Sequence, residues 1–363
     1  MNLLPSAIAI VVGILLLFGG GELFVAGAVA LALLLGIPQI VIGLTVVSMG
    51  TSAPELFVSL LATVNGNPVD DPIAMSNVVG SNIFNVMVVL GLSAAIVPLK
   101  VKSRLVRRDV PVLLAVSMAV WGMASAGRVT WQAGLALLSA LVINLIWEMR
   151  TASEHQDEME EIDENDRASA PVAGLKLAGG LALLVVGSQI LVRGAVDAAT
   201  ALGVSETLIG LTIVAAGTSM PELVTSVVAA YRGKADLAIG NVVGSNLLNQ
   251  LVILGLCAVS SGSRGLGVDP VMVSRDLPIM VATTLACLPI FWTDGQVSRR
   301  EGLLLLTLYG LYLVEQVLTE KMAPTPMDDW YRLAVLVVVL PVVMVFLTWQ
   351  VLRWREQRHA RPS

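Results

Sequence analysis

Thirteen residues, GLTVVSMGTSAPE at Gly43–Glu55, return 167 positions later as GLTIVAAGTSMPE at Gly210–Glu222, identical at nine positions. A second string follows each: NVVGSNIFN at Asn77–Asn85 and NVVGSNLLN at Asn241–Asn249, identical at seven of nine and 164 apart. Arg108, Asp109 and Pro111 recur as Arg275, Asp276 and Pro278, again 167 apart. The chain is therefore a duplication, and its fold must be built from two copies of one unit.

What that unit is follows from hydropathy. The 363 residues are 56% hydrophobic and 13% charged with a mean hydropathy of +0.83, against roughly 25% charged in a soluble domain. No charged residue falls between Glu22 and Glu55, and comparable apolar runs recur, each meeting the ~20 residues of a spanning helix. Eleven spans are predicted, near 7–33, 38–65, 72–97, 109–125, 130–149, 173–200, 205–231, 236–260, 276–292, 301–318 and 331–352. The N-terminal run lacks a positively charged lead and exceeds signal-peptide length, so it reads as the first span.

Five spans per copy force the second copy to enter the membrane inverted. With the N-terminus outside, sixteen of the 22 basic residues fall on the cytoplasmic side, as the positive-inside rule asks. The expected fold is an all-α integral membrane protein: two inverted-topology five-helix repeats, ten helices, plus one extra C-terminal helix. The expected division is 1–150 for the first repeat, 151–171 for an acidic cytoplasmic linker, 172–320 for the second repeat, and 321–363 for the extra span and a basic cytoplasmic tail. The linker holds eight acidic residues between Glu154 and Asp166 but not the ligand order of an EF-hand, so it reads as a solvated connection. Nothing signals nucleic acid; the partners are the lipid bilayer and transported ions. Cys257 and Cys287 lie in apolar spans and behave as small apolar residues, and His155 and His359 have no metal-ligand neighbours.

A carboxylate at mid-membrane costs roughly 2.5–3.5 kcal/mol on insertion scales and marks a functional site by default. Glu55 and Glu222 are such residues. Each follows a proline, Pro54 or Pro221, which cannot donate to the carbonyl four residues back, at Gly50 or Gly217, and so interrupts the helix. Broken helices at this depth line ion sites in inverted-repeat transporters. Thr51 and Ser52, and Thr218 and Ser219, lie one turn before the glutamates. On the next helix Ser81 with Asn85, and Ser245 with Asn249, share a face at i, i+4 spacing. Asn82 and Asn246 read as ligands or ligand-orienting groups. An all-oxygen set without Cys or His suits Ca2+ or Na+ and argues against Zn2+ or Cu. Gly80, Gly91, Gly244 and Gly255 are expected to let helices pack closely. Glu22, whose counterpart is Gln189, is expected to form a local hydrogen bond, and Asp109 and Asp276 to cap helix starts.

The paired GTSxPE and GSNxxN motifs, in this order in each half, resemble the cation/Ca2+ exchanger superfamily and within it the sodium/calcium exchangers, over nearly residues 1–318. The resemblance implies alternating access, with the long first and sixth helices sliding on a rigid core. It implies ligand roles for Glu55, Glu222, Thr51, Ser52, Thr218, Ser219, Ser81, Ser245, Asn85 and Asn249, with backbone carbonyls near Ser48 and Ala215. Two departures stand out: some relatives carry aspartate where this chain has Asn249, which argues against K+ dependence, and the eleventh span lies outside the family core. The expectation is an antiporter in the inner or plasma membrane exchanging Ca2+ for Na+, with no organic cofactor and no enzymatic constellation. Ca2+/H+ exchange on the same glutamates is the alternative, and a carboxylate-lined channel is disfavoured by the broken helices of an inverted repeat.

Overall fold

The computed structural model describes residues 3–64, 71–102, 105–152, 168–204, 215–292 and 295–321, with isolated positions 209, 212, 213, 348 and 352. The acidic segment Glu154–Asp166 and, but for two positions, the span expected at 331–352 lie outside the described residues. Helices occupy the described parts of the other predicted spans. They are α1 (Leu4–Leu35), the bent pair α2 (Gln39–Thr51) and α3 (Ala53–Val64), α4 (Ile73–Ile96), α5 (Val110–Ala124), α6 (Trp131–Ala152), α7 (Ala170–Ala201), α8 (Met220–Tyr231), α9 (Ala235–Ser260), α10 (Leu277–Trp292) and α11 (Arg299–Lys321). Seven of the described helices are long and apolar enough to cross a membrane, and the α2–α3 pair makes an eighth candidate. The chain is a helical, multi-pass membrane protein.

The repeat is legible in the packing. Gly13, Gly20 and Gly27 of α1 recur as Gly180, Gly187 and Gly194 of α7, every pair 167 apart and every step a heptad. A Cβ on Gly13 would lie 2.6 Å from the Leu191 backbone, and one on Gly180 would lie 2.5 Å from that of Phe24. Only glycine permits that approach. Gly13 meets Leu191, Gly20 meets Leu184 and Gly27 meets Leu177, so these counterpart helices run antiparallel. α4 and α9, by contrast, sit in the middle of the molecule, with 72% and 83% of their apolar windows buried.

Two short antiparallel ribbons tie the halves together. β1 (Leu99–Lys100) pairs with β4 (Gln296–Val297), and β2 (Arg128–Val129) pairs with β3 (Leu266–Gly267). Since β1 precedes α5 and β2 follows it, the ribbons lie at opposite ends of that helix.

One expectation needs correction. Asp109 and Asp276 are not helix caps: Asp109 makes no capping bond, because the π-helical turn Leu105–Asp109 runs directly into α5 and leaves no unpaired N–H groups there. The turn Met272–Asp276 precedes α10 in the same way. Both aspartates instead join buried polar clusters. Arg108 pairs with Glu148, approaches Asp109 at 3.7 Å and lies over the Trp147 ring. Asp276 accepts from Arg275 Nε at 2.8 Å, Tyr312 at 3.1 Å and Gln316 at 3.4 Å. Gly91, Gly244 and Gly255 do pack closely, as expected, while a Cβ on Gly80 meets nothing within 4 Å among the described residues.

Candidate functional site

Both predicted helix breaks occur. α2 ends at Ser52 (φ −81°, ψ 6°) and the chain bends by 48° into α3. Ser219 takes the same conformation (φ −89°, ψ 10°) before α8. Pro221 leaves the Gly217 carbonyl without its helical donor, and Ser188 of α7 supplies one at 2.6 Å. The Ser48 carbonyl, by contrast, already accepts from Ser52 N at 3.0 Å and Thr51 Oγ1 at 3.4 Å, because the helical ladder is intact up to the break.

The breaks bring the two motifs together. Ser52 Oγ donates to Glu222 Oε1 at 2.9 Å, and Ser219 Oγ contacts Glu55 Oε1 at 2.9 Å. Each half thus holds the other half's carboxylate. Thr51 lies beside Glu222; Thr218 lies beside Glu55 without a hydrogen bond to it. The glutamates are buried to 1% and 0% exposure. Among the described residues neither forms an ion pair.

The second motifs close the centre. Ser219 also reaches Ser81 Oγ at 3.2 Å. Asn85 Nδ2 donates to Asn246 Oδ1 at 3.1 Å, and Asn249 Nδ2 donates to Asn82 Oδ1 at 3.2 Å. Ser245, one turn before Asn249, is fully buried. Asn85 and Asn249 each begin a π-helical run, Asn85–Leu90 and Asn249–Ile253, and a third such run, Gly43–Val47, leads into the first break. Such bulges concentrate at functional sites.

Six buried side-chain oxygens in this cluster lack a hydrogen-bond partner among the described residues: Glu55 Oε2, Glu222 Oε2, Asn85 Oδ1, Asn249 Oδ1, Thr218 Oγ1 and Ser245 Oγ. A buried polar atom left unpaired costs about 1–3 kcal/mol, more when charged. Carboxylate, amide and hydroxyl oxygens left unpaired by protein donors are groups that a cation such as Ca2+ takes in exchange for its hydration water. The ten sequence-predicted site residues therefore lie on elements that meet at one buried place.

Sequence reasoning missed two residues. Asn77 Nδ2 donates to the Glu55 carbonyl at 3.2 Å and Ser59 Oγ at 2.9 Å; Asn241 Nδ2 donates to the Glu222 carbonyl at 3.3 Å and Ser226 Oγ at 2.9 Å. These asparagines, which open the NVVGSNxxN strings, brace the glutamate turns, and their repetition 164 residues apart is the available signal. Glu22 belongs elsewhere: it pairs with Arg232 at the end of α8, and both side chains are about 40% exposed.

Comparison with known proteins agrees with this geometry. The sequence matches the family described as sodium/calcium exchanger protein over residues 5–149 and 173–318. It is 33% identical over 331 residues to the inner membrane protein YrbG of Escherichia coli, covering 88% of this chain and 100% of that one. It is 31% identical over 343 residues to the sodium/calcium exchanger MaX1 of Methanosarcina acetivorans, covering 84% and 96%. A solved structure of the sodium-calcium exchanger NCX_Mj, soaked with zero Na+ and Ca2+, superposes with a TM-score of 0.73 at 29% identity, covering 87% of this chain and 100% of the other.

Proposed function

Since the chain belongs to the sodium/calcium exchanger protein family, whose members are membrane cation antiporters rather than enzymes, we propose that it exchanges Ca2+ for Na+ at one site centred on Glu55 and Glu222. The observation that carries this reading is the reciprocal pair of bonds, Ser52 to Glu222 and Ser219 to Glu55, surrounded by unpaired oxygens. Two ionised carboxylates give the site a formal charge of −2. One Ca2+ neutralises it, and so do two Na+, while hydroxyl and amide oxygens hold any further Na+. The remaining ligands would be Thr51, Thr218, Ser81, Ser245, Asn85 and Asn249, a hard oxygen set suited to these ions. Because both cargoes need the same carboxylates, they exclude each other. A gate that opens only when the charge is compensated then couples the fluxes.

The proposed frame is two inverted five-helix repeats, 1–150 and 172–320, joined by the acidic linker and followed by an eleventh span. The N-terminus lies outside and the C-terminus lies in the cytoplasm. The antiparallel run of α1 and α7 supports inversion. So do the ribbons: Leu99 of β1 and Leu266 of β3 are repeat counterparts 167 apart, yet they lie in different ribbons at opposite ends of α5. Single cysteines at Glu158 and Asp70, on a background lacking Cys257 and Cys287, should label from opposite faces. Labelling from one face would break this arrangement.

Flux into proteoliposomes tests the driving ion. An outward Na+ gradient should drive Ca2+ uptake with no requirement for K+. Protons need none of the neutral oxygens gathered here, so uptake that persists without Na+ and follows an imposed pH gradient would replace Na+ with H+ as the coupled ion.

A further inference from the structure

Four asparagines at the crossing of α4 and α9 form a network whose polarity is fixed at two points. Asn246 Nδ2 donates to the Asn82 backbone carbonyl at 3.2 Å, and Asn82 Nδ2 approaches the Asn246 carbonyl at 3.5 Å and Met280 Sδ at 3.6 Å. A backbone carbonyl accepts and never donates, so each of these amides must turn its NH2 toward the facing backbone. The other terminal atom is then an oxygen, which accepts and cannot donate. Asn82 Oδ1 receives Asn249 Nδ2 at 3.2 Å, and Asn246 Oδ1 receives Asn85 Nδ2 at 3.1 Å. With their NH2 groups committed, Asn249 and Asn85 have one terminal atom left, the oxygen. Those two oxygens are without a partner among the described residues, and all four residues are at most 1% exposed.

We infer that Asn82 and Asn246 are positioning residues: they hold the amides of Asn249 and Asn85 in the one orientation that offers oxygen, not NH2, to a cation. An amide flipped by 180° fills nearly the same volume but presents a donor, which repels a cation, so shape alone does not set the choice. The backbone carbonyls do, through one relay in each direction. The inference rests on Asn85 and Asn249 being cation ligands, as proposed above. It assigns Asn82 and Asn246 no ligand role of their own.

The test is a double-mutant cycle read as the KM for Ca2+ in Na+-driven flux, with thermal unfolding of each purified variant alongside. Asn82→Ala removes the acceptor that holds Asn249, and should raise KM about tenfold, the scale of one lost hydrogen bond to a charged-site group. In an Asn249→Asp background the ligand has oxygen at both ends and no orientation to lose. There Asn82→Ala should leave KM unchanged or lower it, because it also removes an oxygen facing the new carboxylate. Equal KM increases in the two backgrounds would overturn the positioning role, since a purely structural loss multiplies. If Asn82→Ala does not fold, Asn246→Ala with Asn85→Asp supplies the same cycle through the opposite relay. Asn249→Ala separates the two readings: an unchanged KM removes Asn249 from the site and overturns both. A raised KM together with a multiplicative cycle overturns only the orientation.

Discussion

The two GSNxxN strings are nearly identical in sequence and sit in different surroundings. On α9, Gly240, Asn241 and Gly244 are all buried, and Asn241 Oδ1 is bound by Thr51 Oγ1 at 3.1 Å. On α4, Ser76 is exposed while Asn77 and Gly80 are only half-buried, and Thr218, the counterpart of Thr51, has no hydrogen-bond partner among the described residues. At the glycines, a Cβ on Gly244 would lie 2.6 Å from Leu44 Cα, Leu44 O and Ser48 Oγ, so α2 seals this side of α9. Near-identical strings thus sit at different depths of burial.

The largest expected effect tests equality at the centre. Glu55→Gln and Glu222→Gln should each lower Ca2+ flux roughly 100-fold or more while the protein still folds, since each leaves a buried charge arrangement uncompensated. Equal losses in flux assays would mean that the halves contribute alike. A variant with near-normal flux would remove that glutamate from the site.

The glycines test inequality of burial. Gly244→Ala must displace backbone atoms of α2, so it should destabilise by about 1–3 kcal/mol, seen as an earlier thermal transition in detergent. Gly80→Ala, at a half-buried rather than a buried position, should destabilise less. An equal shift of the two transitions would mean that the two strings are packed alike. The threonines repeat the comparison on a smaller scale. Thr51→Val loses the bond to Asn241 and should cost about 1 kcal/mol of stability, while Thr218→Val should cost less. The double substitution should weaken Na+ coupling, measured as the Na+ dependence of Ca2+ uptake.

Much of this could be read from the sequence because chemistry and repeat coincide there. The glutamates, the prolines that break their helices and the flanking hydroxyls lie in one contiguous string, and its recurrence at Gly210–Glu222 announces a shared site. The braces were harder to see. Asn77 and Asn82 differ in role from Asn85 only through partners on other elements, and the polarity of the asparagine network depends on backbone carbonyls 164 residues away. The π-helical runs have no side-chain signature, since they differ from α-helix by one residue in hydrogen-bond register. Asp109 and Asp276 were misread for the same reason: an acid beside Arg and Pro has the same pattern at a helix start as just inside a helix that has already begun. The buried partner of Arg108 nonetheless carries a repeat signal, for Glu148 recurs as Glu315 at the same spacing of 167 as Arg108 and Arg275.

The smallest effect belongs to a contact present in one half alone. Glu22 of α1 pairs with Arg232 of α8, while the repeat counterpart of Glu22 is Gln189, which cannot carry the charge. The pair joins a helix of the glycine-faced α1–α7 couple to the helix that bears Glu222, so it biases how that couple sits against the core. With both side chains about 40% exposed, water screens the attraction, and such pairs contribute ~0–1 kcal/mol. Glu22→Gln should therefore change Ca2+ flux by less than about fivefold, with the Ca2+ KM unaltered, because Glu22 touches none of the site oxygens. Arg232→Ala should act in the same direction and by a similar amount, and the double variant should be no worse than either single one. A loss in Glu22→Gln as deep as that in Glu55→Gln, with a raised KM, would place Glu22 in the ion path and make the two halves unequal at the site itself.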